Sequence, residues 1–263
     1  MSEVESRPGS SMTPERRIGV TVSVALILGG GWWAASQLTQ SDETKQLEFP
    51  VSGTSLRVET SNNDIEIRTA DVSKITVTRK AERNVFSDDP EENYEDGVLE
   101  LKKTGCGFLS FGGCDTNYLI QIPKDLAVKV ETSSGEILAI GLEKGADLKT
   151  SSGRIELHTV SGDITAESSS GDIEGQTLGE GQYRANSSSG EIGLEFARAP
   201  VSVDAETSSG EVKIELPGAD TYAVDVKTNS GETDNRLKQD PAATRKIRAK
   251  SSSGDVKLQY AGP

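Results

Sequence analysis

The sequence predicts an all-β fold, a β-solenoid of two-strand coils preceded by one N-terminal transmembrane helix. Three observations lead to this expectation. A phrase of Ser-Gly, a charged residue and a β-branched residue returns eight times, residues of alternating polarity follow it, and one uncharged apolar run lies near the N-terminus. Regular recurrence of this kind marks a repeat architecture, in which each unit buries its apolar face against its neighbours.

The repeated phrase marks turns. Ser and Gly favour turns because the hydroxyl bonds nearby backbone groups and Gly has no Cβ to clash at positive φ. Asn62-Asn63 stands in place of Ser-Gly in a weaker copy that starts at Ser55. The glycines are spaced 18, 9, 9, 19, 20, 21 and 23 residues apart, and they are Gly135, Gly153, Gly162, Gly171, Gly190, Gly210, Gly231 and Gly254.

The residues that follow each turn alternate in polarity. After Gly190, Ile192 and Leu194 share one face, and Glu191 and Glu195 share the other. This period of two indicates a half-buried strand, and a second alternating segment precedes each turn. Each coil of about 18–23 residues thus holds two strands and two corners. An antiparallel meander folded as a sandwich is the alternative, although its turns should recur every ~8–12 residues.

The chain divides into five expected segments. They are a disordered cytoplasmic tail over 1–17, a transmembrane helix over 18–38, a polar stalk over 39–46, an irregular β region with an acidic insertion over 47–122, and regular coils over 123–260. We expect the acidic insertion to be a solvated loop. Because the last phrase ends close to the C-terminus, we expect the final coil at the open end of the stack.

The apolar run over 18–38 has the ~20 residues that a bilayer span needs. Arg16 and Arg17 precede it, and Asp42 and Glu43 follow it. The positive-inside rule then places the N-terminus in the cytoplasm and the coils outside. A cleaved signal peptide is the alternative, because small residues occur at 34–36. The sequence therefore predicts a single-pass protein of the cell membrane with an extracytoplasmic C-terminal domain.

The two cysteines, Cys106 and Cys114, bracket a Gly-rich loop. Outside the membrane, two cysteines most simply form a disulfide. The loop also carries Phe108, Leu109 and Phe111, which form either a contact tip for a partner or an apolar cap on the solenoid end.

Acidic residues follow seven of the eight glycines, and Arg154 takes the eighth place. Stacked coils would align such residues ~5 Å apart, where like charges repel unless they are solvated or bridged by a cation. A solvated edge that opposes aggregation and a ladder of cation sites are both open. No Gly-Gly-x-Gly-x-Asp calcium repeat is present, so no metal site is otherwise expected. The seven acids are Glu136, Asp163, Asp172, Glu191, Glu211, Glu232 and Asp255.

We expect no catalytic residue and no cofactor. A serine nucleophile needs a base, and the single histidine, His158, lies on the polar face of a strand. The net charge of −14 argues against nucleic acid as a partner. The sequence favours a non-catalytic binding, adhesion or scaffolding module. An envelope-stress sensor or regulatory partner of a membrane signalling protein is the alternative, and a polysaccharide-acting enzyme is a further one.

The segment from Leu119 carries a family resemblance. LIQIPKDLAVKVETSSGEI, followed by iterated Ser-Gly-Asp/Glu-Ile units, resembles the bacterial putative-adhesin family, a β-strand-repeat domain of unknown function. The resemblance covers roughly residues 50–260 and implies a solenoid-like domain on the cell envelope, often membrane-anchored. It implies no catalytic residues. The expected partners are the membrane itself and a cell-wall polymer or envelope protein, and an unpaired end strand could accept a partner strand.

Overall fold

The structure, a computed structural model, describes residues 41–83, 90–102, 116–218 and 220–262. Every regular element within these residues is a strand, which confirms the all-β expectation. In chain order the strands are β1 (Ser41–Phe49), β2 (Ser55–Thr60), β3 (Asp64–Thr69), β4 (Ile75–Arg83), β5 (Glu91–Glu95), β6 (Val98–Lys102), β7 (Thr116–Ile122), β8 (Ala127–Glu131), β9 (Ile137–Ile140), β10 (Ala146–Thr150), β11 (Ile155–His158), β12 (Ile164–Ser168), β13 (Ile173–Leu178), β14 (Gln182–Ser187), β15 (Ile192–Phe196), β16 (Ser202–Ser209), β17 (Val212–Leu216), β18 (Thr221–Ser230), β19 (Thr233–Asn235), β20 (Lys238–Gln239), β21 (Lys246–Ser253) and β22 (Val256–Tyr260).

Two sheets enclose one core, and each has eleven strands in the described part of the chain. Sheet A has the order β1-β4-β7-β3-β9-β11-β13-β15-β17-β22-β19, and sheet B has the order β20-β18-β21-β16-β14-β12-β10-β8-β2-β6-β5. Neighbouring strands are parallel, except that β4 is antiparallel to β1 and β7, and β5 to β6. We call a rung the unit formed by one strand of sheet A and the strand of sheet B that directly precedes it in the chain. Parallel rungs fit a β-solenoid-like fold and not an antiparallel meander.

The core consists of four columns of inward side chains, two from each sheet. Side chains alternate between the core and the surface along each strand, so strand period and rung stacking together define the columns. Sheet A supplies Ile65, Ile137, Ile155, Ile173, Ile192, Val212 and Val256 in one column, and Ile67, Ala139, Leu157, Leu194, Ile214 and Leu258 in the next. Sheet B supplies Leu56, Val128, Ala146, Ile164, Tyr183, Val203 and Ile247, and then Val58, Val130, Leu148, Ala166, Ala185, Ala205 and Ala249.

The rungs do not stack in chain order at either end. Their order is β6/β7, β2/β3, β8/β9, β10/β11, β12/β13, β14/β15, β16/β17, β21/β22 and β18/β19. The last rung of the chain therefore lies between β16/β17 and β18/β19, and the expectation that it occupies the open end is wrong. The connection over 236–245 is long enough to bring the chain back past β18/β19, and β21 pairs in register with both neighbours.

The N-terminal end of sheet A is closed by antiparallel strands. β1 pairs with β4 along its whole length, from Ser41 opposite Arg83 to Phe49 opposite Ile75. Residues 41–46, expected to belong to a polar stalk, instead form most of this edge strand. An edge strand tolerates polar residues, and its apolar end, Leu47 and Phe49, packs against the core.

A buried ion pair joins the two sheets at this end. Arg79 of β4 is 1% exposed, and its Nη1 donates to Glu92 Oε1 at 2.6 Å and to the Pro90 carbonyl at 3.1 Å. The Tyr118 hydroxyl lies 3.4 Å from the same carboxylate, and burial raises the pKa of Tyr118 well above its usual range. Part of the acidic insertion, expected to be a solvated loop, is therefore strand β5 with an acid turned inward. Removing one partner of such a pair is costly, because the other charge is left buried.

Several expectations fall outside the described residues. They concern the apolar run over 18–38, the predicted disulfide between Cys106 and Cys114, and the loop residues Phe108, Leu109 and Phe111. They stay predictions. Among the residues that the structure does describe, no helix is long and apolar enough to cross a membrane.

Candidate binding surface along the acidic corner

At one corner of the solenoid, a hydroxyl three residues before the glycine accepts the glycine N–H in four turns, those of Gly135, Gly153, Gly171 and Gly190. Gly171 donates its N–H to Ser168 Oγ at 2.8 Å, and Gly190 donates to Ser187 Oγ at 2.9 Å. Ser187 Oγ in turn donates to the Gly171 carbonyl of the preceding rung at 3.0 Å. The same donation to the neighbouring rung's backbone is made by Thr132, Thr150, Ser168, Thr207, Thr228 and Ser251. Sequence analysis assigned serine to turns in general and missed this ladder, although Ser or Thr precedes every corner glycine by three residues.

The glycines of this corner stack directly on one another. A Cβ on Gly171 would collide with the Gly153 carbonyl, and one on Gly190 with the Gly171 carbonyl. None of the glycines from 135 to 210 in this stack has positive φ, so close backbone approach, rather than turn conformation, requires glycine there. The stack runs through Asn63, Gly135, Gly153, Gly171, Gly190, Gly210, Gly254 and Gly231.

Gly162 and Asp163 lie at the opposite corner, which corrects their predicted place. The strand that follows them, β12, belongs to sheet B, whereas every other copy of the phrase leads into sheet A. Gly162 has a φ of 89° and stacks between Gly145 and Gly181. Seven of the eight predicted turn glycines and six of the seven predicted ladder acids therefore share one corner.

The residues after the corner glycines form a continuous row, which we call the corner column. Rung stacking is direct: the Ile155 N–H donates to the Asp172 carbonyl at 3.0 Å, and the Ile173 N–H to the Glu191 carbonyl at 2.9 Å. In stacking order the corner column is Asp64, Glu136, Arg154, Asp172, Glu191, Glu211, Asp255 and Glu232. Seven acids and one arginine thus line one edge of the molecule.

Aspartate and glutamate behave differently in this column. Asp64, Asp172 and Asp255 each accept, through Oδ1, the backbone N–H of the column residue in the adjacent rung, at 2.9 Å in all three cases. Within the described residues, no glutamate of the column makes this bond. The short side chain therefore ties rung to rung through the backbone, whereas Glu211 instead accepts a hydrogen bond from the Lys257 side chain at 3.0 Å.

Arg154 is the one cation in the column. It lies 3.6 Å from Glu156, 3.8 Å from Asp172 and 3.8 Å from Glu174, and these acids raise the pKa of its guanidinium. Nearby, partial burial and then the charge of Glu156 raise the pKa of Glu136. Carboxylates are therefore crowded in this part of the column and only partly neutralised.

A shallow cleft of about 330 Å³ opens beside the corner column on the outer face of sheet A. It exists because Gly193 faces outward, where a Cβ would meet nothing within 4 Å. β13 is also irregular beside it, since its register with β15 shifts between Gly175 and Leu178. We call this the acidic cleft, and its charged lining is Glu174, Glu191, Glu195, Glu211, Glu215 and Lys213.

The carboxylates of the acidic cleft differ in their ion pairing within the described residues. Lys213 pairs with Glu215 and lowers the pKa of that carboxyl. Within the described part of the chain, neither Glu191 nor Glu195 forms an ion pair. These two side chains are therefore available to a ligand that carries hydroxyl or ammonium groups, since a carboxylate accepts hydrogen bonds from both.

The structure shows where the residues considered for metal binding and catalysis lie. No group of three or more His, Cys, Asp or Glu among the described residues could hold a metal ion. Three aspartates of the corner column are engaged with backbone N–H groups, and the cation ladder stays a prediction. His158 lies half-exposed on the outer face of sheet A, with Nε2 3.4 Å from Glu156 Oε2. The corner hydroxyls are committed to the backbone and are poor candidates for a nucleophile.

The sequence of the coils matches a known protein family. The model of one protein family, Toastrack DUF4097, matches residues 128–259, from β8 to β22. The chain belongs to the Toastrack DUF4097 family. This confirms the family resemblance drawn from the Ser-Gly phrases. No curated protein matches the sequence significantly.

Solved structures with a similar chain trace include three bacterial proteins. A putative cell adhesion protein from Clostridium sporogenes has 12% identity and a TM-score of 0.40, covering 84% of this chain and 100% of its own. A putative adhesin from Bacteroides fragilis has 14% identity and a TM-score of 0.48, covering 84% and 98%. A putative lipid binding protein from Parabacteroides distasonis has 16% identity and a TM-score of 0.48, covering 84% and 97%.

Proposed function

We propose that the protein is a non-catalytic binding module of the bacterial cell envelope that holds a linear cell-wall polymer along its acidic corner. The observation that carries this proposal is the acidic cleft, where Gly193 leaves a recess and Glu191 and Glu195 have no counter-ion among the described residues. A polar, shallow and open cleft suits an extended hydrophilic ligand better than a small apolar one.

The repeat supports binding to a polymer in particular. The corner column offers a charged side chain on each successive rung at a spacing of ~4.8 Å. One exposed charge contact contributes only ~0.2–1 kcal/mol. A polymer with hydroxyl and ammonium groups engages many such positions at once, and linked contacts raise the overall affinity without any single strong one.

The envelope location rests on the N-terminal segment. Residues 18–38 are proposed to anchor the protein in the cell membrane with the N-terminus in the cytoplasm. The first strand that the structure describes begins at Ser41, so the proposed anchor would lead into the end of the stack. The solenoid would then project its acidic corner into the wall.

Co-sedimentation tests the proposal. The full chain, solubilised in a non-ionic detergent, is mixed with isolated insoluble cell-wall polymer and pelleted over a range of polymer concentrations. We expect saturable pelleting of the wild type. The variant E191Q/E195Q should raise the apparent Kd about 3- to 10-fold, because two exposed charge contacts are lost.

The matched control is E180Q/E206Q, which removes the same charge from exposed positions away from the acidic cleft. It should bind like the wild type. If both variants bind the polymer equally weakly, the loss of affinity comes from the change in net charge, which would contradict a binding site at the acidic cleft. Absence of pelleting by the wild type would refute polymer binding and favour a membrane signalling partner.

A further inference from the structure

The terminal rung of sheet B has an open edge. β18 pairs with β21 from Ala223 to Ser230, but its other edge meets only the short β20, at Thr221 and Tyr222. Over residues 223–230 that edge has no strand partner among the described residues. Unpaired edge strands template pairing with another chain, and proteins usually blunt them with prolines, bulges, charged side chains or a covering loop.

β18 has only weak protection of this kind over residues 223–230. Its sequence, TYAVDVKTNS, contains no proline. Lys227 is the one basic residue on the strand, and it pairs with Asp225 of the same strand at 3.1 Å, so its charge is balanced. Val224 and Val226 face the core side but are only partly buried, since no rung covers them from outside.

The backbone groups that face the open edge can be identified. Ala223 donates its N–H to the Arg245 carbonyl, toward β21, whereas the Tyr222 carbonyl accepts the Asp240 N–H on the other side. Because strand groups alternate in direction, Val224, Val226 and Thr228 present their N–H and C=O groups to the open edge.

This strand is complementary to itself when it runs antiparallel. With the two-fold axis at Val226, Val226 lies opposite its own copy and Val224 lies opposite Thr228. These are the positions with outward N–H and C=O groups, so they form hydrogen-bonded pairs. Asp225 then lies opposite Lys227 in the closer, non-hydrogen-bonded positions, on the solvent face of both copies. If the two-fold axis is placed at any other residue, either the outward backbone groups or the opposite charges of Asp225 and Lys227 no longer lie opposite each other.

We infer that the open edge of β18 binds a second copy of this chain, forming a two-fold symmetric dimer in which sheet B continues from one molecule into the other. The dimer satisfies the outward backbone groups of Val224, Val226 and Thr228 in both strands, covers the partly buried valines, and adds two Asp225–Lys227 pairs between molecules. The ladder between molecules ends there, because β20 already pairs with Thr221 and Tyr222 at the next positions. A foreign strand could match the backbone, but the self-complementary charge pattern selects a copy of β18.

Sedimentation equilibrium of the full chain in a density-matched detergent tests this inference, because it measures protein mass alone. We expect the wild type to dimerise reversibly with concentration. K227D places aspartates opposite each other at two symmetric positions and should weaken dimerisation by about 10-fold. The charge-swapped double variant D225K/K227D restores opposite charges and should return the dissociation constant to within about 3-fold of the wild type.

Thermal unfolding of each variant, followed by circular dichroism, checks that the stack is intact. Because both positions are exposed, K227D should melt close to the wild type. A wild type that stays monomeric at all concentrations overturns the inference. So does a dimer that K227D leaves unchanged, which would form elsewhere in the chain, or a double variant that fails to recover.

Discussion

The corner of the solenoid is set by the reach of single side chains. A hydroxyl on Ser187 is placed to accept an N–H from its own turn and to donate to the rung below. The aspartate of the corner column reaches the next backbone N–H, whereas a glutamate does not. Aspartate and glutamate are therefore not interchangeable at this corner, although both occur at the same position of the repeated sequence phrase.

Replacing the corner glycine Gly171 by alanine should destabilise the protein. The new Cβ collides with the Gly153 carbonyl, which belongs to paired backbone and cannot move aside. Overpacking of this kind costs about 1–3 kcal/mol. Thermal or urea unfolding followed by circular dichroism measures the loss.

Gly193 provides the matched control for that substitution. Its Cβ position is open, with nothing within 4 Å, and its φ is not positive, so G193A should change the free energy of unfolding by less than about 0.5 kcal/mol. Equal destabilisation by the two substitutions would mean that general strand propensity, and not the stacking of backbones, makes glycine necessary at the corner.

Single residues also show where sequence reasoning ends. Alternation predicted the inward faces of the strands after Gly190 and its equivalents, because period two is a local property of the backbone. The phrase at Gly162 reads the same as the others, yet lies at the opposite corner. The spacing of nine residues is half a rung, and a turn does not encode which sheet follows it. The spacing of the repeated phrases also could not show that Gly193 faces outward and opens a cleft.

At the scale of strands, the four core columns explain why rungs can stack out of order. The inner rungs offer similar aliphatic side chains at the same places, and β21 pairs in register with both β16 and β18. The end rung β18/β19 differs, because Thr233 and Asn235 take the two sheet A positions. These two polar residues suit an end rung, but the turn phrases themselves do not distinguish one order from another. The repeat period of the sequence thus predicted that rungs form. The places of the first and last rungs in the stack depend on the long connections between strands.

Deleting residues 246–263 tests the inserted rung. If rungs stacked in chain order, this deletion would only shorten the stack by its last rung. Because β21 and β22 lie between β16/β17 and β18/β19, we expect the deletion to leave residues 219–245 without their strand neighbours. Limited proteolysis with mass spectrometry should show new cleavage within 219–245 and continued protection of 127–216.

The same proteolysis experiment can contradict the stacking order of the rungs. If residues 221–235 remain protected in the deletion variant, β18 and β19 pair directly with β16 and β17, and the inserted rung is not needed to hold them. The full-length chain, digested in parallel, fixes the reference pattern of protection.

At the scale of the whole molecule, eleven strands at ~4.8 Å make each sheet roughly 50 Å long. β1 lies at one end of sheet A, and the open edge of β18 lies at the other end of the stack. In the proposed dimer, the two N-terminal ends are therefore roughly 100 Å apart, at opposite ends of the continuous sheet. With the proposed anchors at those ends, the dimer would join two facing membranes rather than lie within one.

That geometry depends on the proposed anchor over 18–38, which makes its own prediction. The wild type should stay in the membrane fraction through a carbonate wash, and its strands should be accessible to protease added to spheroplasts. L26R/L28R should release the chain from the membrane, because each arginine at a helix centre opposes insertion by about 2.5–3.5 kcal/mol. The control L26V/L28V keeps the segment apolar and should remain in the membrane. A mature N-terminus near Gln37 would instead identify a cleaved signal peptide, and the dimer would then join free domains.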